Sequence, residues 1–338
     1  MRVSDRIWRW LLTGVLLVLA IAAPAFTYPV FLMQALCFAL FACAFNLLIG
    51  YVGLLSFGHA AFLGSASYIT AHTVKVWGLS PELGILAGTA VAALLGTVFG
   101  WLAIRRQGIY FAMITLALAQ MIYFVALQAR FTGGEDGIQA VPRGRLFGLL
   151  DLSGNLTMYY FVLAVFLVGF AIIVRTIHSP FGQVIKAIRE NEQRAVSLGY
   201  DADRYKLLAF VLSAALSGLA GSLKSLVFQL ASLTDVQWTM SGEVVLMTLV
   251  GGLGTVLGPV VGAFLLTGMQ HYLAQLGSWV TVVQGIIFVF CVLAFRRGIV
   301  GVIASYVVSR RDQGTVGTSA APVGSRRPAS PSLSEAPR

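Results

Sequence analysis

Charge is what this sequence has least of. Of its 338 residues only 11% are Asp, Glu, Lys or Arg, against about 25% in an ordinary globular domain. A soluble fold of this length needs a charged surface, and the residues to make one are missing. Acidic residues are the scarcer: 13 Asp and Glu stand against 23 Lys and Arg, for a formal net charge of +10. The cations sit beside apolar runs rather than in basic stripes interleaved with aromatics, which argues against a nucleic-acid partner. Cysteine is scarce too. Cys37, Cys43 and Cys291 all lie inside apolar runs, with neither metal-ligand spacing nor a disulfide framework, and read as small packing residues. His59, His72, His178 and His271 are isolated, so the sequence carries no His-Glu-x-x-His arrangement for a membrane-embedded enzyme. It also has no Gly-x-x-x-x-Gly-Lys-Ser/Thr phosphate loop, and any ATP hydrolysis must come from another chain. No cofactor is expected here.

What is there is apolar: 58% of the residues. The apolar residues fall into runs near the length of about 20 needed to span a bilayer. Trp10–Ala23 begins the first, behind Arg2, Arg6 and Arg9; the Ala20-Ile21-Ala22 triplet also fits a signal peptide, and a retained helix is the reading adopted. Further runs lie at 28–49, 57–74, 83–104, 109–127, 158–174, 207–230, 242–255, 257–276 and 280–295. The expectation is an all-α integral membrane protein, a polytopic bundle of about ten transmembrane segments. With the N-terminus inside, Arg105/Arg106, the 175–206 loop and Arg296/Arg297 all fall on the cytoplasmic side, as the positive-inside rule requires. Residues 1–309 read as the membrane domain, including a ten-residue stretch at 299–308 too short to span. Residues 310–338, rich in Ser, Pro, Gly, Ala and Arg, read as a disordered cytoplasmic tail.

Two stretches depart from a plain helix bundle. One runs from Gly50 to Gly64 and contains Ser56 and His59; the other runs from Gly251 to Gly262 and contains Gly252, Gly254, Gly258 and Pro259. Each interior glycine weakens a helix by about 1 kcal/mol relative to alanine, and Pro259 removes a backbone donor. Freed backbone groups survive in a bilayer only where protein or a water-filled cavity satisfies them. Broken segments of this kind, one in each half, are a sequence pointer to a translocation path. Close helix packing through small residues explains either stretch taken alone. Asn46, Ser56, His59 and Glu243 are the polar candidates beside these breaks. His59 reads first as a neutral core imidazole satisfied by a carbonyl across a helix interface, and Glu243 equally as a helix-start carboxylate complementing the dipole.

The loop at 178–206 is patterned. Ser179-Pro180 has the form of a helix start, and Val184, Ile185 and Ile188 recur at helical spacing beneath Lys186, Arg189, Glu190 and Glu192. A second helix through Gln193–Leu198 should stop at Gly199. An apolar stripe under a charged face suggests docking onto another protein.

This loop, continued by Tyr205-Lys-Leu-Leu-Ala-Phe-Val-Leu-Ser-Ala, resembles the coupling loop of the branched-chain amino acid permease family of ABC importers. Gly53-Leu-Leu-Ser-Phe-Gly-His-Ala-Ala-Phe and Gly251-Gly-Leu-Gly-Thr-Val-Leu-Gly-Pro resemble the same family, over about 28–303. Ala195-x-x-x-Gly199 is similar to the core by which such permeases engage their ATPases; Gln193 replaces the family's acidic residue, so no salt bridge is assigned there. The resemblance, with the longer loop, implies the larger of two permease types. It further implies a heterodimer with a second permease, two cytoplasmic ATPase subunits, an extracytoplasmic solute-binding protein, and residence in the bacterial inner membrane with both termini cytoplasmic. Lys186, Arg189, Glu190, Asn191, Glu192, Arg194, Ala195 and Gly199 would then couple to the ATPases. Asn46, Ser56, His59, Glu243, Gly251, Gly252, Gly254, Gly258 and Pro259 would line or shape the route. Branched-chain amino acids are the implied substrates; urea, short amides and aromatic acids are alternatives. An ion-driven transporter would need intramembrane carboxylates or paired ionisable groups, and in the sequence only Glu243 and lone histidines qualify.

Overall fold

The structure, a computed structural model, describes residues 18–148 and 150–273, with scattered positions between 279 and 301. The runs expected at 280–295 and 299–308, Cys291, Arg296/Arg297, the tail at 310–338 and the first span up to Leu17 lie wholly or mostly outside the described residues.

The architecture is set by one helix that is apolar on every side. Helix α1 (Pro29–Asn46) presents Leu32, Met33, Leu36, Phe38, Phe41 and Phe45, all buried. A helix hydrophobic all round belongs in the middle of a bundle. It continues as a π-helical stretch, Leu47–Val52, and chain segments that follow wrap around it. Helices α2 (His59–Lys75), α3 (Pro81–Ala103) and α4 (Ile109–Gln128) lead to a loop with a small antiparallel ribbon, β1 (Arg145–Leu146) and β2 (Leu150–Asp151). Helix α5 (Asn155–His178) returns to the first end. The short α6 (Pro180–Glu190) and α7 (Glu192–Ser197) follow, and then α8 (Ala202–Phe228), α9 (Trp238–Gly251) and α10 (Gly258–Leu273). α1 packs against α5, α8, α9 and α10, while α2, α3 and α8 form a second tight group.

Among the described residues, five helical stretches, Pro29–Val52, Pro81–Ala103, Ile109–Gln128, Asn155–His178 and Ala202–Phe228, are long and apolar enough to cross a membrane. Leu86, Leu94, Trp101, Met113, Phe124 and Val168 stand exposed on the outer faces of α3, α4 and α5. Exposed apolar belts of this size suit lipid rather than water, so the chain is an integral membrane protein of helices. α2, α9 and α10, with 17, 14 and 16 residues, are shorter than the about 20 residues of a full span.

Polar contacts and missing side chains hold the second group together. Thr70 Oγ1 donates to the Gly84 carbonyl at 3.0 Å and accepts from the Ser222 hydroxyl at 2.9 Å. At Gly221 the α8 backbone lies so close to the Leu63 carbonyl of α2 that no Cβ fits, the small-residue approach familiar in membrane helices.

Several helix boundaries differ from the apolar runs, among them those at the two glycine-rich stretches. The run at 57–74 becomes a helix only at His59, and the run at 242–255 becomes α9, Trp238–Gly251. Polar Ser241 is accommodated inside α9 because its hydroxyl serves the neighbouring segment. The helix stops at Gly251 because Gly252 (φ 121°) and Gly254 (φ 72°) take backbone conformations that glycine alone adopts easily.

Candidate functional site

The α6–α7 pair is built by local capping. The Ser179 hydroxyl accepts from the Gly182 amide at 3.2 Å and Pro180 occupies the first turn. Asn191 caps α7 by accepting from the Arg194 amide at 3.0 Å, and Asp201 caps α8 through the Arg204 amide at 3.2 Å. Gly199, at φ 90°, closes α7. Ile185, Ile188 and Ala195 are buried beneath the pair, while Val196, Leu198 and Tyr200 are exposed.

Several of the charged side chains turn toward this chain. Glu192 takes Lys206 Nζ at 2.6 Å and Gln107 Nε2 at 2.8 Å, tying α7 to α8 and to the α3–α4 turn. Lys206 is itself 3% exposed, so Glu192 is its charge partner in a region of little water. Lys186 Nζ donates to the Ile177 carbonyl at 3.1 Å and lies 5.6 Å from the centre of the Tyr51 ring. Arg189 Nη1 donates to the Gly50 carbonyl at the end of the π-helical stretch. Glu190, Asn191 and Arg194 remain exposed.

Beside Arg189 the two glycine-rich stretches meet. Asn46 Nδ2 donates to the Thr255 carbonyl at 2.8 Å, and its Oδ1 accepts from the Gly254 amide at 3.0 Å. One amide side chain on α1 thus holds the turn between α9 and α10. Thr255 Oγ1 adds a donation to the Gly252 carbonyl at 2.7 Å and accepts from the Gly258 amide at 3.1 Å. Gly251 packs against the Gly258 backbone, and Pro259 is buried in the first turn of α10. A cleft of about 590 Å³ opens here, lined by Gly50, Tyr51, His178, Lys186, Arg189, Glu190 and Gly254 among others.

Ser56 and His59 lie deeper. His59 Nε2 pairs with Ser213 Oγ at 2.9 Å, and Ser213 is about 16 Å along α8 from Ala202. The first turn of α2 therefore begins inside the domain, and its backbone groups are met by side chains. Ser241 Oγ donates to the Phe57 carbonyl at 2.8 Å and accepts from the Ala60 amide at 2.9 Å. Thr115 Oγ1 accepts from the Phe57 amide at 3.2 Å, and Ser56 Oγ from the Gly58 amide at 3.1 Å. His59 is walled edge-on by Phe45, Phe62 and Phe210. Ser56 and His59 are both fully buried; His59 joins α2 to α8, while Ser56 braces its own turn. An apolar cavity of about 460 Å³ runs along the other side of residues 53–57, against the start of α4.

Glu243 is half-buried and accepts from Gln270 Nε2 at 3.2 Å. Sequence reasoning missed its neighbours in charge. Lys224 pairs with Asp235, with side chains 14% and 2% exposed, and Lys224 lies 5.2 Å from the centre of the Phe38 ring. The signal was a single lysine in the apolar run at 207–230 followed by an aspartate one loop later.

A family model described as branched-chain amino acid transport system, permease component, matches residues 29–292. The high-affinity branched-chain amino acid transport system permease protein LivM of Escherichia coli K12 is 26% identical over 277 residues, covering 75% of this chain and 65% of the relative. The probable branched-chain amino acid transport permease protein LivH of Methanocaldococcus jannaschii is 24% identical over 266 residues, covering 73% and 83%. The autoinducer 2 import system permease protein LsrC of Yersinia pseudotuberculosis YPIII is 26% identical over 231 residues, covering 64% and 63%. The chain thus spans just under two thirds of the length of the E. coli and Yersinia relatives. No solved structure matches it.

Proposed function

The chain belongs to the branched-chain amino acid transport permease family, and from that premise we propose that it is one of two permease subunits of an ATP-driven importer. Its partners are a second permease, two ATPase subunits on the cytoplasmic side and an external solute-binding protein. Its substrates are branched-chain or related amino acids, selected first by the binding protein. The fuller membrane domain has about ten crossings, and the α6–α7 end faces the cytoplasm with both termini.

One observation carries this reading: the α6–α7 pair presents an exposed outer surface, and its inner side reaches both glycine-rich turns. Arg189 holds the Gly50 carbonyl beside Gly254, and Asn46 links Gly254 to α1. A push on α6 from a closing ATPase would reach the segments best suited to bend. Val196, Leu198, Tyr200, Glu190 and Arg194 form the outer docking surface, while Lys186, Arg189 and Glu192 transmit movement inward. Ser56, His59 and Glu243 with the backbone of Gly251, Gly252, Gly254, Gly258 and Pro259 shape the route rather than bind permanently. Affinity capture of the tagged chain from its native membrane, followed by mass spectrometry, tests the assembly. A second permease and P-loop ATPases should remain bound; recovery of the chain alone argues against the importer.

A further inference from the structure

The cleft beside α6 gathers cations that no carboxylate neutralises. Lys186 and Arg189 line it together with His178 at the end of α5. Among the described residues the ion pairs are Arg204–Asp201, Lys206–Glu192 and Lys224–Asp235, and none of them uses Lys186 or Arg189. Lys186 donates to the Ile177 carbonyl and Arg189 to the Gly50 carbonyl, so each spends a donor on backbone and keeps others. Those bonds, with the Tyr51 ring beside Lys186, hold both charged heads at the cleft. Glu190 is the one carboxylate among the lining residues, and it is exposed, where water and salt screen it. The chemistry of the cleft suits an anion.

The adjoining face of α5 says what carries that anion. Val168, Ile172, Arg175 and His178 are all exposed, and their spacing of three or four residues puts them on one strip of the helix. Val168 and Ile172 are apolar and continue the belt that faces lipid. The last turns of the strip are cationic and end at the cleft. Along the helix, Arg175 lies about 4.5 Å beyond Ile172 and His178 about 9 Å beyond it. A bilayer about 40–45 Å thick around a hydrocarbon core of about 30 Å leaves about 5–8 Å of headgroup on each side. An acyl chain lying on Val168 and Ile172 therefore brings its phosphate to the depth of Arg175 and the cleft. A free anion in water has no use for the apolar half of the strip.

We infer that an anionic phospholipid binds here. Its acyl chain lies along Val168 and Ile172 of α5, and its phosphate sits at Arg175, Lys186 and Arg189 with His178 beside them. The inference needs only that the chain spans a membrane, and it stands apart from the importer reading. The bound phosphate joins α5 and α6 to Gly50 and Gly254, which line the same cleft and belong to the two glycine-rich turns.

The test uses the full-length chain in mild detergent, with the partners it retains, titrated with phosphatidylglycerol and separately with phosphatidylcholine. Native mass spectrometry reads the bound lipid. Phosphatidylglycerol should bind about tenfold more tightly or better, since each cation near an anionic lipid contributes about fivefold. Equal binding of the two lipids overturns the inference. Arg175→Gln, at an exposed position outside the coupling contacts, should lower the phosphatidylglycerol affinity about fivefold, and Lys186→Gln likewise. Lys75→Gln, at the other end of the bundle where Lys75 meets the Gln139 carbonyl, should leave it unchanged. Equal losses in all three variants, or none in the two cleft variants, overturn the site. Should Lys186→Gln not fold, Arg175→Gln decides alone. Excess inorganic phosphate at matched ionic strength should leave the lipid bound; full displacement shows a pocket for free anions and overturns the lipid assignment.

Discussion

Arg189→Ala is the sharpest perturbation of the proposed coupling. The guanidinium meets the Gly50 carbonyl where the helical stretch after α1 ends, and Gly50 is itself buried. Removing the donor leaves that carbonyl without its partner, a loss of about 1–3 kcal/mol. Arg189 is exposed on its other side, so water can reach the vacated place and the lower half of that range applies. A difference of about 1.4 kcal/mol between two end states shifts their ratio about tenfold. The contact joins α6 to the first glycine-rich turn, so its loss should weaken transmission more than assembly. The assay is leucine taken up per ATP hydrolysed by the reconstituted complex. That ratio should fall about tenfold, and Arg189→Lys should recover part of it, since lysine supplies a charge without the planar fork. A wild-type ratio in Arg189→Ala would refute the claim that this side chain links α6 to the turn.

Three further outcomes follow from the packing. Glu192→Ala leaves Lys206, 3% exposed, without its carboxylate; stability should drop by about 3 kcal/mol, read as a lowered Tm in detergent, and an unchanged Tm would show that the pair contributes nothing. Gly221→Ala forces α8 away from the Leu63 carbonyl and should destabilise by about 1–3 kcal/mol, again visible in Tm. Gly199→Val meets no neighbour within 4 Å but must hold φ 90°, a strain of about 1–2 kcal/mol; transport should uncouple from ATP hydrolysis with membrane insertion intact, and normal transport in this variant would sink the coupling role.

Much of the local structure was legible because it depends on near neighbours. Ser179-Pro180 starts α6 and Gly199 stops α7, since capping and positive φ are set within a few residues. The all-apolar α1 announced its own burial. The start of α9 was not readable, because Ser241 answers a backbone group on a segment 184 residues away. Distance in sequence hid the rest. Nothing local connects Asn46 to Gly254, 208 residues on, and nothing local reveals that Lys224 turns back onto Asp235. Charged residues in the 178–206 loop looked alike in sequence; only the fold separates Arg189 and Glu192, which reach inward, from Glu190 and Arg194, which do not.

Uptake of leucine by proteoliposomes containing the captured complex, measured with and without ATP and with and without the loaded binding protein, tests the central claim most directly. The account predicts uptake only when ATP and the loaded binding protein are both present. Uptake by this chain alone, driven by an ion gradient and indifferent to ATP, would contradict it.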